Sequence, residues 1–458
     1  MIDEDRDVAE ALKKVAPQMV VPRGLVAGAR KRRSRSRAVA GSVAGVGAMA
    51  VAVGFALPAM VSAIGPLFAG QSSSQQAASQ ADERDGSAAG GANPALVAQG
   101  TETAAAASEA LGWAAIQGAG PGNQVVSPSS LALSLAMAAE GAEGASEASI
   151  DEALGLVGDA RSGAYSDLRR SLTGYETSPD RIDLVDPPVT PALHLANRLV
   201  TIDREAEAPF VERLARWFDV PVVATTQGEA KAVLDAWVNE NSGGLIEESA
   251  IEVVPELKVV TQDALLFSAA WATPFERDDL ALDFDGVGKV DALQGIVPAR
   301  YAEGDRWTAI RLPYDDRLAA DVILPKPGVA PTALTEAELA EAGAALATAP
   351  VEQVDTTMPV LDLRSKMDLL KALPQIDLND LGGIFDGAFA GQWWQQSVLQ
   401  VSAKGTVGAA VTEMGVYESA VLAERSFVAD RGYVFRVVDT STSWPLFLAS
   451  VVDPSAAG

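Results

Sequence analysis

One histidine and no cysteine in 458 residues leave little of the usual reactive chemistry. Without thiols the chain can build neither a disulfide framework nor a thiolate zinc site. His194, in the apolar run LHLANRL, reads as a packed strand residue and not as a base. Most nucleophile–base pairs and most metal sites are thereby excluded. No enzyme activity, cofactor or metal is expected. The stretch whose spacing does carry chemical meaning is residues 403–422, AKGTVGAAVTEMGVYESAVL. Alternate residues of an extended segment face the same way, so Thr406, Gly408, Ala410 and Thr412 share one side. They are small enough to pass between strands of an existing sheet without overpacking it. Val407, Ala409, Val411 and Glu413 would then lie on the sheet's outer surface. The chemistry on offer is conformational: a segment able to become a strand. The plain alternative is an Ala/Gly-rich surface loop.

The elements that would have to position this segment are spread over some 360 residues, from Pro94 to Pro454. Residues 95–117 read as an Ala-rich helix. Ser127-Pro128-Ser129-Ser130 reads as a strand-to-helix junction, with a capping serine and a proline suited to the first helical turn. The helix it opens ends at Gly141-Ala142-Glu143-Gly144-Ala145-Ser146. Leu195-Ala196-Asn197-Arg198-Leu199 reads as a central strand, and residues 237–246, WVNENSGGLI, as a helix and its turn. Ala264-Leu265-Leu266-Phe267 precedes Trp271 and Pro274-Phe275-Glu276. Leu312-Pro313-Tyr314, Ile323-Leu324-Pro325, residues 427–435 and Pro445-Leu446-Phe447-Leu448 complete the series.

In that order and over that length these motifs resemble the serpins, protease inhibitors that work by changing shape. The chain resembles a bacterial member of that family with an N-terminal membrane anchor. The resemblance implies an α+β fold with three β-sheets, about eight or nine helices and an exposed reactive loop, preceded here by one transmembrane helix. Lys404, Gly405, Thr406, Gly408, Ala409, Ala410, Val411 and Thr412 would form the hinge. Trp271 would stand at the top of the sheet that opens. Ser127 and Ser130, with Asp263 and Gln395, occupy the positions of the central sheet lock. The family's histidine–asparagine pair there is replaced by Gln395 and Asp263, and an amide donating to a carboxylate is a workable substitute. Other departures are Ala403 for the glutamate before the hinge lysine, Gly432 for a proline and Ala449 for a glycine.

The implied mechanism is trapping. A serine protease attacks the loop and forms its acyl-enzyme. The cut loop then inserts as a strand, and about fifteen residues at ~3.3 Å each carry the protease ~50 Å. The distorted oxyanion hole no longer supports deacylation. Counting from Thr406 places the reactive bond at Ser419–Ala420, suited to an elastase-like or subtilisin-like pocket. A shift of one or two residues would offer Glu418 or Tyr417. The competing reading is a serpin fold without inhibition, serving as a surface binding protein.

Ahead of this domain the chain changes character. Residues 1–37 hold ten basic and five acidic residues, with the basic ones massed at 30–37. Residues 38–70 carry no charge. About twenty apolar residues span a bilayer, and a basic cluster marks the cytoplasmic end. The expected organisation is a cytoplasmic tail (1–37), a transmembrane signal anchor (38–70), a flexible linker (71–93) and the serpin domain (94–458) outside the cell membrane. If Val61-Ser62-Ala63 were a cleavage site, the protein would be secreted. The chain carries −26 in all and residues 1–37 contribute +5, leaving −31 on the remainder. Such a surface disfavours nucleic acid and heparin-like polyanions. The expected partners are a target protease, held covalently, and the membrane; the protein itself is expected to be a monomer.

Overall fold

The computed structural model describes residues 94–406 and 423–456. The tail, apolar span and linker expected over residues 1–93 lie outside them. Among the described residues no helix is long and apolar enough to cross a membrane. Helix α1 (Pro94–Gly118) buries Trp113 and Ile116, and the Trp113 indole donates to the Leu334 carbonyl at 2.9 Å. Strand β1 (Gln124–Val126) runs into α2 (Pro128–Ala139) through Ser127, whose Oγ accepts from the Ser130 amide at 3.3 Å. Pro128 sits in the first turn, where its missing N–H costs nothing. Ten of the twelve residues of α2 are buried, which makes it a core helix on nearly every side. Helix α3 (Gly144–Leu154) stops at Gly155, held at φ 72°, the left-handed conformation that glycine adopts most readily at a helix end. Helix α4 (Gly158–Ser171) is tied to α1 by Tyr165, which donates to the Ala104 carbonyl.

Next come β2 (Ala192–Ile202), α5 (Ala208–Phe218), β3 (Val222–Thr225), α6 (Ala230–Asn241) and β4 (Val259–Ala270). Strands β5 (Arg277–Phe284), β6 (Gly288–Glu303), β7 (Trp307–Pro313) and β8 (Leu318–Pro325) follow. Helix α7 (Glu336–Thr348) opens on a capping box between Thr335 and Glu338. Then come β9 (Val351–Pro359), β10 (Leu361–Asp368), α8 (Leu369–Ala372), β11 (Trp394–Val401) and β12 (Gly405–Thr406). Strands β13 (Arg425–Val428), β14 (Tyr433–Asp439) and β15 (Trp444–Val451) close the chain.

The eight described helices agree with the expected number, but the strands form two sheets where three were expected. The cause is β6. Its sixteen residues pair with β5 at one end and β7 at the other, and with β9 between. One long strand thus stitches two groups into a single nine-stranded sheet, β1-β15-β14-β8-β7-β6-β9-β13, with β5 on β6. The second sheet has six strands in the order β10-β11-β12-β4-β2-β3. Odd-numbered residues of β4, among them Leu265, Phe267 and Ala269, face the main core. Val260 faces the other way, with Val200 and Ile202, against Ala230 and Leu234 of α6.

Candidate functional site

The six-stranded sheet is two paired halves with an opening between them. Strands β2 and β4 are antiparallel from Ala192↔Ser268 to Thr201↔Val259, and β10 and β11 from Leu361↔Val401 to Asp368↔Trp394. Only the two residues of β12 join the halves: Thr406 pairs with Val401 on one side and Ala269 on the other, and Gly405 pairs with Ala270. Because β12 is antiparallel to both neighbours, β4 and β11 run parallel, one strand's width apart. Below Thr406 they share no backbone pairing, and a cavity of ≈ 780 Å³ lies between them. Its walls are β4 and β11, with Ser127, Ser130, Ser134 and Leu135 of the α2 region and Trp237 of α6 also lining it.

The top of this cleft is closed by the hinge. Thr406 is 2% exposed, and its hydroxyl meets the Tyr314 hydroxyl at 2.6 Å. The Tyr314 ring stacks on Trp271 at 4.7 Å and meets Phe267 edge-on at 5.4 Å. Burial drives the Tyr314 phenol well above its ordinary pKa, so it stays a neutral hydrogen-bonding group. Trp271 holds the turn, its indole donating to the Ser402 carbonyl and its amide to that of Lys404, both at 2.9 Å. Lys404 reaches Asp186 at 3.1 Å. A Cβ on Gly405 would lie 2.1 Å from the Ala269 carbonyl, so glycine is required there by backbone approach. Tyr314, the partner of Thr406, had no role in the sequence reading. Its signal was present in Leu312-Pro313-Tyr314, but pairing over 92 positions leaves no local mark.

At mid-cleft the expected bond between Gln395 and Asp263 is not made. Gln395 turns instead to Ser127, its Oε1 accepting from the Ser127 amide and its Nε2 donating to the Ser127 carbonyl, both at 3.0 Å. Gln395 and Asp263 stand on strands β11 and β4, which have no backbone pairing with each other. Asp263 Oδ1 and Ser130 Oγ are buried without a hydrogen-bond partner. Burial pushes the Asp263 carboxyl up to about 7, although Ser130, beside it but outside hydrogen-bond geometry, and the Arg169 charge pull the other way.

His194 lies on strand β2, as expected. It faces away from the apolar core, with Nδ1 2.8 Å from Glu176 Oε1 and Nε2 2.9 Å from Asn241 Oδ1. Asn241 Nδ2 donates to the Trp237 carbonyl, which fixes its oxygen toward the ring. Two acceptors therefore flank one imidazole, and the Glu176 hydrogen bond raises the His194 pKa. Gly408, Ala409, Ala410, Val411, Thr412 and the reactive bond Ser419–Ala420 lie outside the described residues.

A family model described as serpin (serine protease inhibitor) matches residues 113–454, so the chain belongs to the serpin family. Among curated proteins it is similar to the protein Z-dependent protease inhibitor of Rattus norvegicus, 24% identical over 280 residues. That match covers 55% of this chain and 62% of the rat protein. It is also similar to a serpin-like protein of Thermococcus kodakarensis, 26% identical over 356 residues, 73% of this chain and 82% of that one. Among solved structures, the thermophilic serpin tengpin in its native state aligns with a TM-score of 0.63 at 18% identity. The alignment covers 76% of this chain and 93% of that one. Thyroxine-binding globulin aligns at 0.64 and 19%, covering 78% and 100%. At such identities these two bear on the fold alone.

Proposed function

We propose that this serpin is an extracytoplasmic suicide-substrate inhibitor of serine proteases with small-residue specificity, elastase-like or subtilisin-like, attacked at Ser419–Ala420. The observation that carries the reading is the half-built central strand. Thr406 already pairs with both neighbours, and Gly405 with β4, at the top of a cleft that continues, unpaired, down the sheet. The segment that follows them has small residues on the side that must turn inward. Once cut, it gains backbone pairing on both edges and buries the apolar cleft walls, and this drives translocation of the acylated protease. Tethering by residues 38–70 to a bacterial cell membrane, with the basic tail inside, completes the proposal.

Incubation with elastase followed by a denaturing gel is the test. A covalent band larger than either protein is expected. Cleavage without such a band would favour a non-inhibitory binding protein instead. For the anchor, protease added to intact cells should remove the domain beyond Asp82 and spare residues 1–37. Digestion of residues 1–37 from outside would overturn that topology.

A further inference from the structure

His194 is the one histidine of the chain, and the proposed trapping mechanism gives it no part. Both of its ring nitrogens meet acceptors, Nδ1 at Glu176 Oε1 and Nε2 at Asn241 Oδ1. The other Glu176 oxygen accepts from the Leu195 amide at 3.0 Å, which keeps the carboxylate aimed at the ring. Asn241 has no better orientation to offer. Turning its amide over would take Nδ2 from the Trp237 carbonyl, 2.8 Å away, and set Oδ1 against that carbonyl instead. A neutral imidazole has one N–H to give and the imidazolium has two. The site is therefore satisfied in full only by the charged ring.

The position of Asn241 gives this contact its reach. It is the last residue of α6, whose other end is held by apolar packing of Ala230 and Leu234 on Val200, Ile202 and Val260. Trp237, Val238, Ser242, Leu245 and Ile246, on either side of Asn241, line the cleft. Across it, Arg364 of β10 donates to the Leu245 carbonyl at 3.0 Å. Further on, the Glu252 amide donates to Gln392 Oε1 at 2.9 Å and Gln392 Nε2 to the Glu252 carbonyl at 2.8 Å. Residues 237–252 thus form a strap. His194 pins it to one half of the sheet, and Arg364 and Gln392 pin it to the other half and to the segment leading into β11.

We propose that His194 is a pH-sensitive clasp on this strap: doubly protonated, it holds the C-terminal end of α6 on β2, and loss of one proton frees that end and loosens the cover of the cleft. Glu176 is the charged group that faces the ring, and its hydrogen bond raises the His194 pKa. Leu266 of β4, opposite in register, is apolar, and Glu240 of α6 acts on Arg198. Asp263 of β4 stands on the opposite face of the sheet, beside Ser130. With the folded pKa raised, the clasp contributes fully below the ordinary histidine value of about 6.5. Its contribution is lost as pH rises through the folded value. The clasp does not depend on entry of the loop into the cleft.

The test uses the full chain, isotope-labelled at histidine and purified without a histidine tag, so that every imidazole signal in the NMR spectrum belongs to His194. Its titration midpoint should lie above about 6.5, with both ring nitrogens protonated below that midpoint. Hydrogen exchange, corrected for the intrinsic pH dependence of amide exchange, should show protection of residues 237–246 falling about two- to tenfold across the same midpoint. In His194→Gln that fall should vanish. Glu176→Gln, a change at a partly exposed side chain, should lower the midpoint and carry the fall in protection down with it, a readout that remains if His194→Gln does not fold. A midpoint at or below the ordinary value overturns the clasp, as does protection that stays level across it. A fall that persists in His194→Gln, or stays in place in Glu176→Gln, belongs to another group such as Asp263 and overturns it too. None of these results bears on whether a protease is trapped.

Discussion

The two sheets of this serpin treat a buried aspartate in opposite ways. In the nine-stranded sheet Asp321 accepts from Arg311 at 2.6 and 2.9 Å and from Arg436 at 3.1 and 2.6 Å. Arg436 also reaches Glu109. Burial alone would raise the Asp321 pKa, but the charges of Arg436 and Arg311 outweigh it and hold the carboxyl below its ordinary range. Around this network every residue of β8, β14 and β15 is buried. In the six-stranded sheet Asp263 has no such partner, and burial pushes it up to about 7. In one sheet the buried aspartate is paired and the strands are contiguous, although the Tyr433 and Ser450 hydroxyls have no partner. The other is held apart by one strand's width, with two polar atoms unpaired at its centre. Under the proposed function, the molecule's capacity to change lies at the open sheet.

That contrast can be broken from either side, and the largest effect is expected at the hinge. Thr406→Arg puts a guanidinium against Tyr314 in a site 2% exposed, at a cost of roughly several kcal/mol unless it finds a partner. The variant should still be cut at Ser419–Ala420 but should no longer hold the protease, so the covalent band gives way to two fragments. Full inhibition by this variant would mean that the open sheet does not receive the loop.

Next in size is the nine-stranded sheet. Asp321→Ala strands Arg311 and Arg436 in the interior, and removing one partner from a buried ion network costs about 3–5 kcal/mol. The urea midpoint should fall accordingly. If it moved by less than ~1 kcal/mol, the two sheets would not differ in the way described.

The smallest effect belongs to Asp263 and is read against pH. With a folded pKa near 7 and an ordinary unfolded value, the folded state keeps a proton that the unfolded state has lost between about pH 4 and 7. Stability conferred by the rest of the molecule is therefore eroded as pH rises through that window and is level above it. Asp263→Asn should flatten this slope and leave the uncut protein more stable than the wild type at pH 8. Urea midpoints at pH 4.5, 6 and 8 would show it; an unchanged slope in the variant would mean the carboxylate is already satisfied by other groups.

Much of this was present in local sequence, and the physical reason is that local sequence controls local conformation. Ser127-Pro128 specified a capped helix start. Gly405-Thr406 after Lys404 was legible as the start of a strand between two others. The order of motifs specified the family. The Gln395–Asp263 pairing was read wrongly because β11 and β4, which carry them, have no backbone pairing with each other, and local sequence does not mark which strands pair. His194 was legible as a strand residue, but its partners Glu176 and Asn241, far off in sequence, were not. The merging of the expected sheets followed from which strands β6 meets along its sixteen residues. By itself the sequence determined the capped start of α2 and the family. Only the tertiary structure decided that Thr406 is already seated on Tyr314, that the cleft below it is open, and that Asp263 and Ser130 face it unpaired. Those facts depend on contacts between residues scores of positions apart, and such contacts form only when the whole core closes.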